Sequence, residues 1–267
     1  MEEPFAFDAL AADYDSHFTR GTIGTLMRQA VWRRLGTCFA PGDRILEINC
    51  GTGEDALYLA RRGVRVVATD RSTAMLEVAR RKVKSEGLAA MVEVRQMAIE
   101  QLAEVQSCGA AAPPLDHLFD GALSNFGGLN CVADLAGVAR GLAMCLRRRA
   151  RAILVVMGPV VPWEWAWFLA RAQPGKAFRR LQPGGTPWRG LTIRYPSIRS
   201  VRRTFEPAFR LRRTSALGAL LPPTYVESWA AKHHRLLGWL NRLERRVETW
   251  PPLTWLADHY LLELERR

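Results

Sequence analysis

The stretch Arg44-Ile-Leu-Glu-Ile-Asn-Cys-Gly-Thr-Gly-Glu-Asp-Ala-Leu-Tyr-Leu-Ala-Arg-Arg-Gly63 decides the fold of this 267-residue chain. It opens on a short apolar run, Ile45, Leu46 and Ile48, of the kind a strand buried on both faces needs. A glycine turn follows at Gly51-Thr52-Gly53, and Ala56, Leu57, Leu59 and Ala60 then recur at helical spacing. Gly63 is placed to end that helix. A strand that turns tightly into a helix leaves bare backbone and a helix N-terminus facing a crevice.

The crevice is not patterned for a dinucleotide or a nucleoside triphosphate. Asn49 stands at the first glycine position of G-x-G-x-x-G, Asp55 and Ala56 follow Gly53, and no Gly-Lys-Ser/Thr is present. The order is instead Glu47, Asn49, Gly51, Gly53. An acid at the strand end repels pyrophosphate and accepts hydrogen bonds from a cationic amino-acid moiety. Working outward, Arg65-Val-Val-Ala-Thr-Asp70 is a second buried strand that ends in a carboxylate able to take both hydroxyls of a ribose. A helix follows, capped by Ser72 or Thr73, with Met75 facing back to the crevice. The expected ligand therefore carries an ammonium group and a nucleoside.

Three stretches, Leu46-Glu-Ile-Asn-Cys-Gly-Thr-Gly-Glu54, Ala68-Thr-Asp-Arg-Ser-Thr-Ala-Met-Leu76 and Phe119-Asp-Gly-Ala-Leu-Ser-Asn125, occur in order at the right spacing and resemble class I S-adenosylmethionine-dependent methyltransferases. The resemblance covers roughly residues 8–158, and Asn49 for the usual first glycine is its departure. It implies an α/β, Rossmann-like, seven-stranded sheet, mostly parallel with the last strand antiparallel, carrying helical cap insertions. It also implies S-adenosylmethionine as cofactor and S-adenosylhomocysteine as product. In relatives of this class a Phe-Asp…Tyr-Asp segment folds over the cofactor, so Tyr14 would border its methionine end; packing between helices is the other reading of Tyr14. The loop at Met97-Ala-Ile-Glu100 would pass the adenine, with Ala98 where an Asp is common and Glu100 or backbone atoms left to recognise the amino group. Residues and resemblance together assign Tyr14, Glu47, Asn49, Gly51, Gly53, Asp70, Arg71, Met75, Ala98, Ile99, Asn125 and Phe126 to the cofactor site.

The expected organisation is an N-terminal helical lid over 1–43, a cofactor-binding core over 44–158, a Trp- and Arg-rich cap insertion over 159–206, and C-terminal strands over 207–267 with a helical insertion at 217–256. Phe5 to Arg34 reads as helical. Residues 105–117 read as a small-residue loop, 132–147 as a helix and 150–157 as a strand. Tyr225, Val226, Trp229, His233, Leu236, Leu237 and Leu240 recur at helical spacing and read as core.

Composition narrows the class further. A hydrophobic share of 48% and a charged share of 24% are ordinary for a globular enzyme. No leader-like segment and no apolar run near the ~18 residues of a membrane span is seen, and five cysteines without C-x-x-C or metal spacing read as reduced thiols, so a cytoplasmic location is expected. The net charge of +12 is uneven. Residues 1–138 hold 14 Lys and Arg against 18 Asp and Glu, a balance of −4, while 139–267 hold 24 against 8, a balance of +16. That asymmetry points to an acidic partner or surface, or to a solvated arginine-rich face.

Methyl transfer from a sulfonium is an in-line displacement that needs alignment and exclusion of water rather than a metal. His17, His233, His234, Glu100 and Tyr14 are the candidate bases, and none is singled out as catalytic; Arg28 and His17 are candidates for touching a ligand. Asn125-Phe126-Gly127 after the fourth strand lacks the Asn/Asp-Pro-Pro-aromatic run of nucleobase N-methylases. Trp163, Trp165, Trp167 and Phe168 beside Lys176, Arg179 and Arg180 suit an apolar or lipid-like acceptor met near the inner face of an anionic membrane, or a packed cap helix. The expected function is methylation of a hydrophobic small molecule. The alternatives are an RNA methyltransferase using the basic half as a phosphate track, and a cofactor-binding module without turnover.

Overall fold

The computed structural model describes residues 6–19, 21–104 and 118–267. A 3-10 turn at Asp8–Leu10 and a π turn at Asp15–Thr19 lead into helix α1 (Thr22–Cys38). There follow β1 (Arg44–Ile48), α2 (Glu54–Ala60), β2 (Arg65–Asp70), α3 (Thr73–Ser85), β3 (Val92–Gln96), α4 (Gln101–Glu104), β4 (Phe119–Ser124), α5 (Leu135–Cys145) and β5 (Leu146–Met157). Beyond β5 come α6 (Pro162–Leu169), α7 (Pro174–Ala177), β6 (Thr186–Trp188), β7 (Leu191–Ile193), α8 (Ile198–Phe205) and β8 (Phe209–Leu217). Helices α9 (Glu227–Ala230), α10 (His234–Val247) and α11 (Pro251–Trp255) then precede the last strand, β9 (His259–Arg266).

Seven strands form one sheet in the order β3-β2-β1-β4-β5-β9-β8. β9 runs antiparallel to both β5 and β8, so six strands share one direction and the last opposes them. Period-two alternation divides the core between the faces. Ile45, Val66, Ala68, Leu123, Ile153 and Val155 pack under α1, α2, α3 and α10, while Leu46, Ile48, Val67, Ala122, Ala152, Leu154 and Val156 pack under α5 and α8. Gly53 enters α2 in the left-handed region (φ 79°), and a Cβ there would lie 3.0 Å from the Ala79 Cβ. A side chain would therefore push α2 off α3.

Several local expectations are corrected. The segment before α1 is two short turns rather than a continuous helix, and the Ser16 hydroxyl donates to the Asp13 carbonyl and the Thr19 hydroxyl to Asp15 Oδ1, local bonds that compete with the helical ladder. α5 is shorter than 132–147, and β5 begins earlier than 150, its pairing with β4 shifting register between Phe119 and Gly121. The 224–240 stretch breaks at Ala231–His233: Val226 and Leu237 are buried, but Tyr225, Trp229, Leu236 and His233 are exposed. The His233 ring stacks on Trp229 at 4.3 Å instead of entering the core. α6 is also not apolar where it is buried, since Glu164 is the residue it sinks into the protein, at 1% exposure, while Trp163 stays 41% exposed. The loop read over 105–117 lies outside the described residues.

Candidate functional site

A cavity of about 500 Å³ opens at the carboxyl ends of β1, β2 and β4, where the strand order reverses between β1 and β4. Nine of the twelve residues assigned from sequence line it: Tyr14, Asn49, Gly51, Asp70, Arg71, Met75, Ile99, Asn125 and Phe126. Glu47, Gly53 and Ala98 do not. Gly53 meets Ala79, and the Ala98 N–H donates to Gln101 Oε1 at 2.8 Å. Glu47 lies beneath the loop at 1% exposure, where burial first, and then the Asp55 carboxylate, hold its carboxyl well above the usual range.

Asp70 ends β2 with both carboxylate oxygens engaged on one side. Gly51 N–H donates to Oδ2 and Ser72 N–H to Oδ1, each at 2.9 Å. The Arg71 N–H also meets this carboxylate, and the lone-pair capacity that remains faces a ligand hydroxyl. Burial pushes the carboxyl up, and these N–H groups oppose that shift. Ser72 caps α3 by accepting from Met75 N–H at 3.1 Å, and its hydroxyl donates to Asp8 Oδ1 at 2.5 Å. The N-terminal turns are thereby tied to the cofactor strand, and a second tie runs from the Thr52 hydroxyl to Asp15 Oδ1 at 2.6 Å.

Asn49 takes the left-handed conformation (φ 58°), which asparagine tolerates better than most residues. Its side chain occupies the space opposite Gly128, where a Cβ would come within 2.4 Å of Asn49 Nδ2. The glycine missing at 49 is thus matched by a glycine at 128.

Asp55 joins three elements around the cavity. Its carboxylate accepts from Arg28 Nη1 at 2.8 Å, Trp32 Nε1 at 2.6 Å and Asn125 Nδ2 at 2.8 Å. The Arg28 guanidinium also lies 5.0 Å from the centroid of the Phe126 ring.

The far wall is apolar. Hairpin β6–β7 contributes Trp188, Leu191 and Ile193, joined by Val132, Met157 and Tyr195, and Phe7 reaches in to pack 5.0 Å from Trp188. Arg179 is the cation that the cap adds. This hairpin is absent from the sequence reading, because three-residue strands set among Gly184, Gly185 and Gly190 show no usable alternation. Trp188 with Leu191 and Ile193 is the signal that was there to find.

Comparison with known proteins agrees with this geometry. Residues 45–149 match the model of a methyltransferase domain family. Residues 45–149 are thus similar to class I S-adenosylmethionine-dependent methyltransferases. A 2-phytyl-1,4-naphtoquinone methyltransferase of Synechococcus elongatus is 31% identical over 159 residues, 57% of this chain and 61% of that protein. A demethylmenaquinone methyltransferase of Corynebacterium kroppenstedtii is 29% identical over 174 residues, 63% of this chain and 67% of that protein. The chain therefore spans about three fifths of the length of the cyanobacterial relative. In fold it is similar to magnesium protoporphyrin IX methyltransferase from Synechocystis, crystallised with S-adenosylhomocysteine, at a TM-score of 0.60 and 17% identity over 98% of this chain and 96% of that one.

Of the candidate bases, Tyr14 and Glu100 line the cavity. Burial raises the Tyr14 pKa, so its hydroxyl stays protonated at neutral pH and acts as a donor. His233 and His234 are exposed on the cap and do not line the cavity, and the His17 side chain lies outside the described part. Arg180, read from sequence as a surface cation, is 8% exposed. It pairs through Nε with Glu164 and through Nη2 with Asp258 Oδ1, each at 2.6 Å, while Arg179 Nη2 reaches the other Glu164 oxygen at 2.6 Å. This buried network clamps α6 to the start of β9.

Asp8 and Asp15 tie the N-terminal turns to the rim of the cavity, which Phe7 and Tyr14 line. Hydrogen exchange in residues 8–19 is expected to slow when S-adenosylmethionine is added. Equal protection with and without it would show that these turns do not act as a lid.

Proposed function

We propose that the chain transfers a methyl group from S-adenosylmethionine to a small apolar acceptor. One observation carries the reading: a single cavity has a polar wall built from the glycine loop and Asp70 and an apolar wall built from Trp188, Leu191, Ile193 and Met157. The residues present fit the cofactor, because Asp70 lines the cavity with acceptor capacity beyond its three backbone N–H partners and a Cβ at Gly51 would project into open space. When bound, it supplies a methyl group activated on a sulfonium. The chain's own residues do the rest. Asp70 accepts the ribose hydroxyls, and Glu54 and Asp55 offer carboxylates to the ammonium in place of the sunken Glu47. Tyr14 donates a hydrogen bond near the methionine end. The hairpin and Phe7 exclude water and hold the acceptor in line, the term that matters most for a displacement of this kind. The names of the quinone-methylating relatives support an apolar acceptor.

Turnover of S-adenosylmethionine with a panel of hydroquinones and other apolar phenols tests this. Methylated product and S-adenosylhomocysteine are expected. Activity on RNA alone, or cofactor binding without turnover on any acceptor, would overturn the acceptor class or the enzyme reading respectively.

We further propose that the cap meets an anionic membrane surface from which the acceptor enters. Of thirteen exposed large apolar side chains among the described residues, eleven lie between positions 163 and 256. Arg171 sits over the Trp167 ring at 3.3 Å and Lys176 near Phe168 at 5.9 Å, so cations flank the aromatic face as an interfacial surface requires. Each such cation contributes about 1 kcal/mol at an anionic surface. Sedimentation with anionic vesicles, reversed by salt, is expected; no pelleting at low ionic strength would leave a soluble acceptor. No helix among the described residues is long and apolar enough to cross a membrane.

A further inference from the structure

At the pole opposite the cofactor cavity, a second cleft of about 730 Å³ is framed by the start of β5, the end of α8, the start of β8 and the end of β9. Six arginines line it, Arg148, Arg149, Arg202, Arg210, Arg266 and Arg267, against Glu206 and Glu265. The two acids offset the six arginines only in part. Glu265 is held from outside the cleft by Arg212, at 3.0 and 2.5 Å, and by Arg151 at 3.3 Å. Glu206 meets only Arg202, at 4.0 Å with both side chains exposed. Arg148, Arg149 and Arg210 make no ion pair among the described residues.

Two features show a built cleft rather than a random arginine surface. The Arg266 guanidinium donates to the carbonyls of Ala143 at 2.8 Å and Ala208 at 3.2 Å, and Arg267 Nε to that of Phe209 at 3.4 Å, so two of the cations are fixed by backbone. Arg149 sits in the left-handed region (φ 68°) within the irregular start of β5, where five residues of β5 pass as β4 advances two. A non-glycine residue held there stores strain of the sort found at binding sites.

We infer that this cleft binds a small anion bearing two or more phosphate groups. Guanidinium groups recognise phosphate oxygens through paired donors, and a single phosphate reaches too few of the six to use the cleft. Phe205 and Phe209 are buried in its floor, so no exposed ring offers a stacking platform for nucleic-acid bases. The cleft is concave, whereas a lipid surface needs a protruding face. The site is independent of the methyl-transfer reading.

Calorimetric titration with sodium tripolyphosphate and with orthophosphate tests it on the full chain. Tripolyphosphate is expected to bind at least about tenfold tighter than orthophosphate, with affinity falling as salt rises. The double variant Arg148→Glu with Arg210→Glu should weaken it more than tenfold, while Arg171→Glu with Lys232→Glu, an equal charge change on the cap, leaves it intact. Arg149→Gly removes a cation while relieving the backbone, so weaker binding with an unchanged or raised thermal midpoint is expected. No binding of tripolyphosphate, or equal weakening in both double variants, would overturn the site. Binding of single-stranded RNA or anionic vesicles through Arg148 and Arg210 without binding of tripolyphosphate would overturn the small-anion assignment and hand the cleft to that partner.

Discussion

Asp70→Ala is expected to lower the affinity for S-adenosylmethionine at least about a hundredfold. Two charge-assisted hydrogen bonds to the ribose, each worth roughly 1.5–3 kcal/mol, disappear together, and every 1.4 kcal/mol is about a factor of ten. The structure adds a second loss. The same carboxylate holds Gly51 N–H and Ser72 N–H, so its removal also frees the glycine loop and the first turn of α3. Asp70→Asn keeps an acceptor oxygen and should fall between wild type and alanine. Wild-type affinity by calorimetry in Asp70→Ala would show that this carboxylate does not take the ribose.

Arg28→Leu is expected to destabilise the protein by about 3–5 kcal/mol, because it strips the cation from a buried pair and leaves Asp55 charged beside Glu47. Trp32 and Asn125 still donate to Asp55, which places the loss toward the lower end of that range. Pairing it with Asp55→Asn removes the stranded charge, and the double variant should recover most of the stability. A denaturant midpoint that barely moves in Arg28→Leu, or a double variant worse than the sum of the singles, would show that the pair does not hold this wall together. Cofactor affinity should fall in the single variant as well, since Arg28 and Phe126 line the same cavity.

The parallel core and the glycine loop were legible from residues alone, because both rest on local chemistry. A strand buried on two faces reads as a near-continuous apolar run, and a turn in the left-handed region admits few residue types. Leu46, Ile48, Val66 and Ala68 follow the first rule, and Gly51, Gly53 and Asn49 the second. Asp70 and Met75 were placed for the same reason, since a strand end and the first helical turn after it face one crevice.

The remainder depends on pairs of residues far apart in the chain. Whether Asn49 fits its turn depends on Gly128, and whether Asp55 is tolerated in the core depends on Arg28, Trp32 and Asn125. The charge count of the C-terminal half predicted cations at its surface, yet Arg180 turned inward to meet Glu164 and Asp258. A buried charge is stable only with its partners in place, and partners are chosen by packing. Helical spacing likewise marked 224–240 as core, but the helix breaks at Ala231–His233, and Tyr225 and Trp229 before the break and Leu236 after it are exposed. The sequence by itself determined the sheet and the loop and pointed to the class of ligand. Which acid faces the cavity, which arginines remain free and what closes the far wall were decided by tertiary contacts, because each depends on distances that no local pattern encodes.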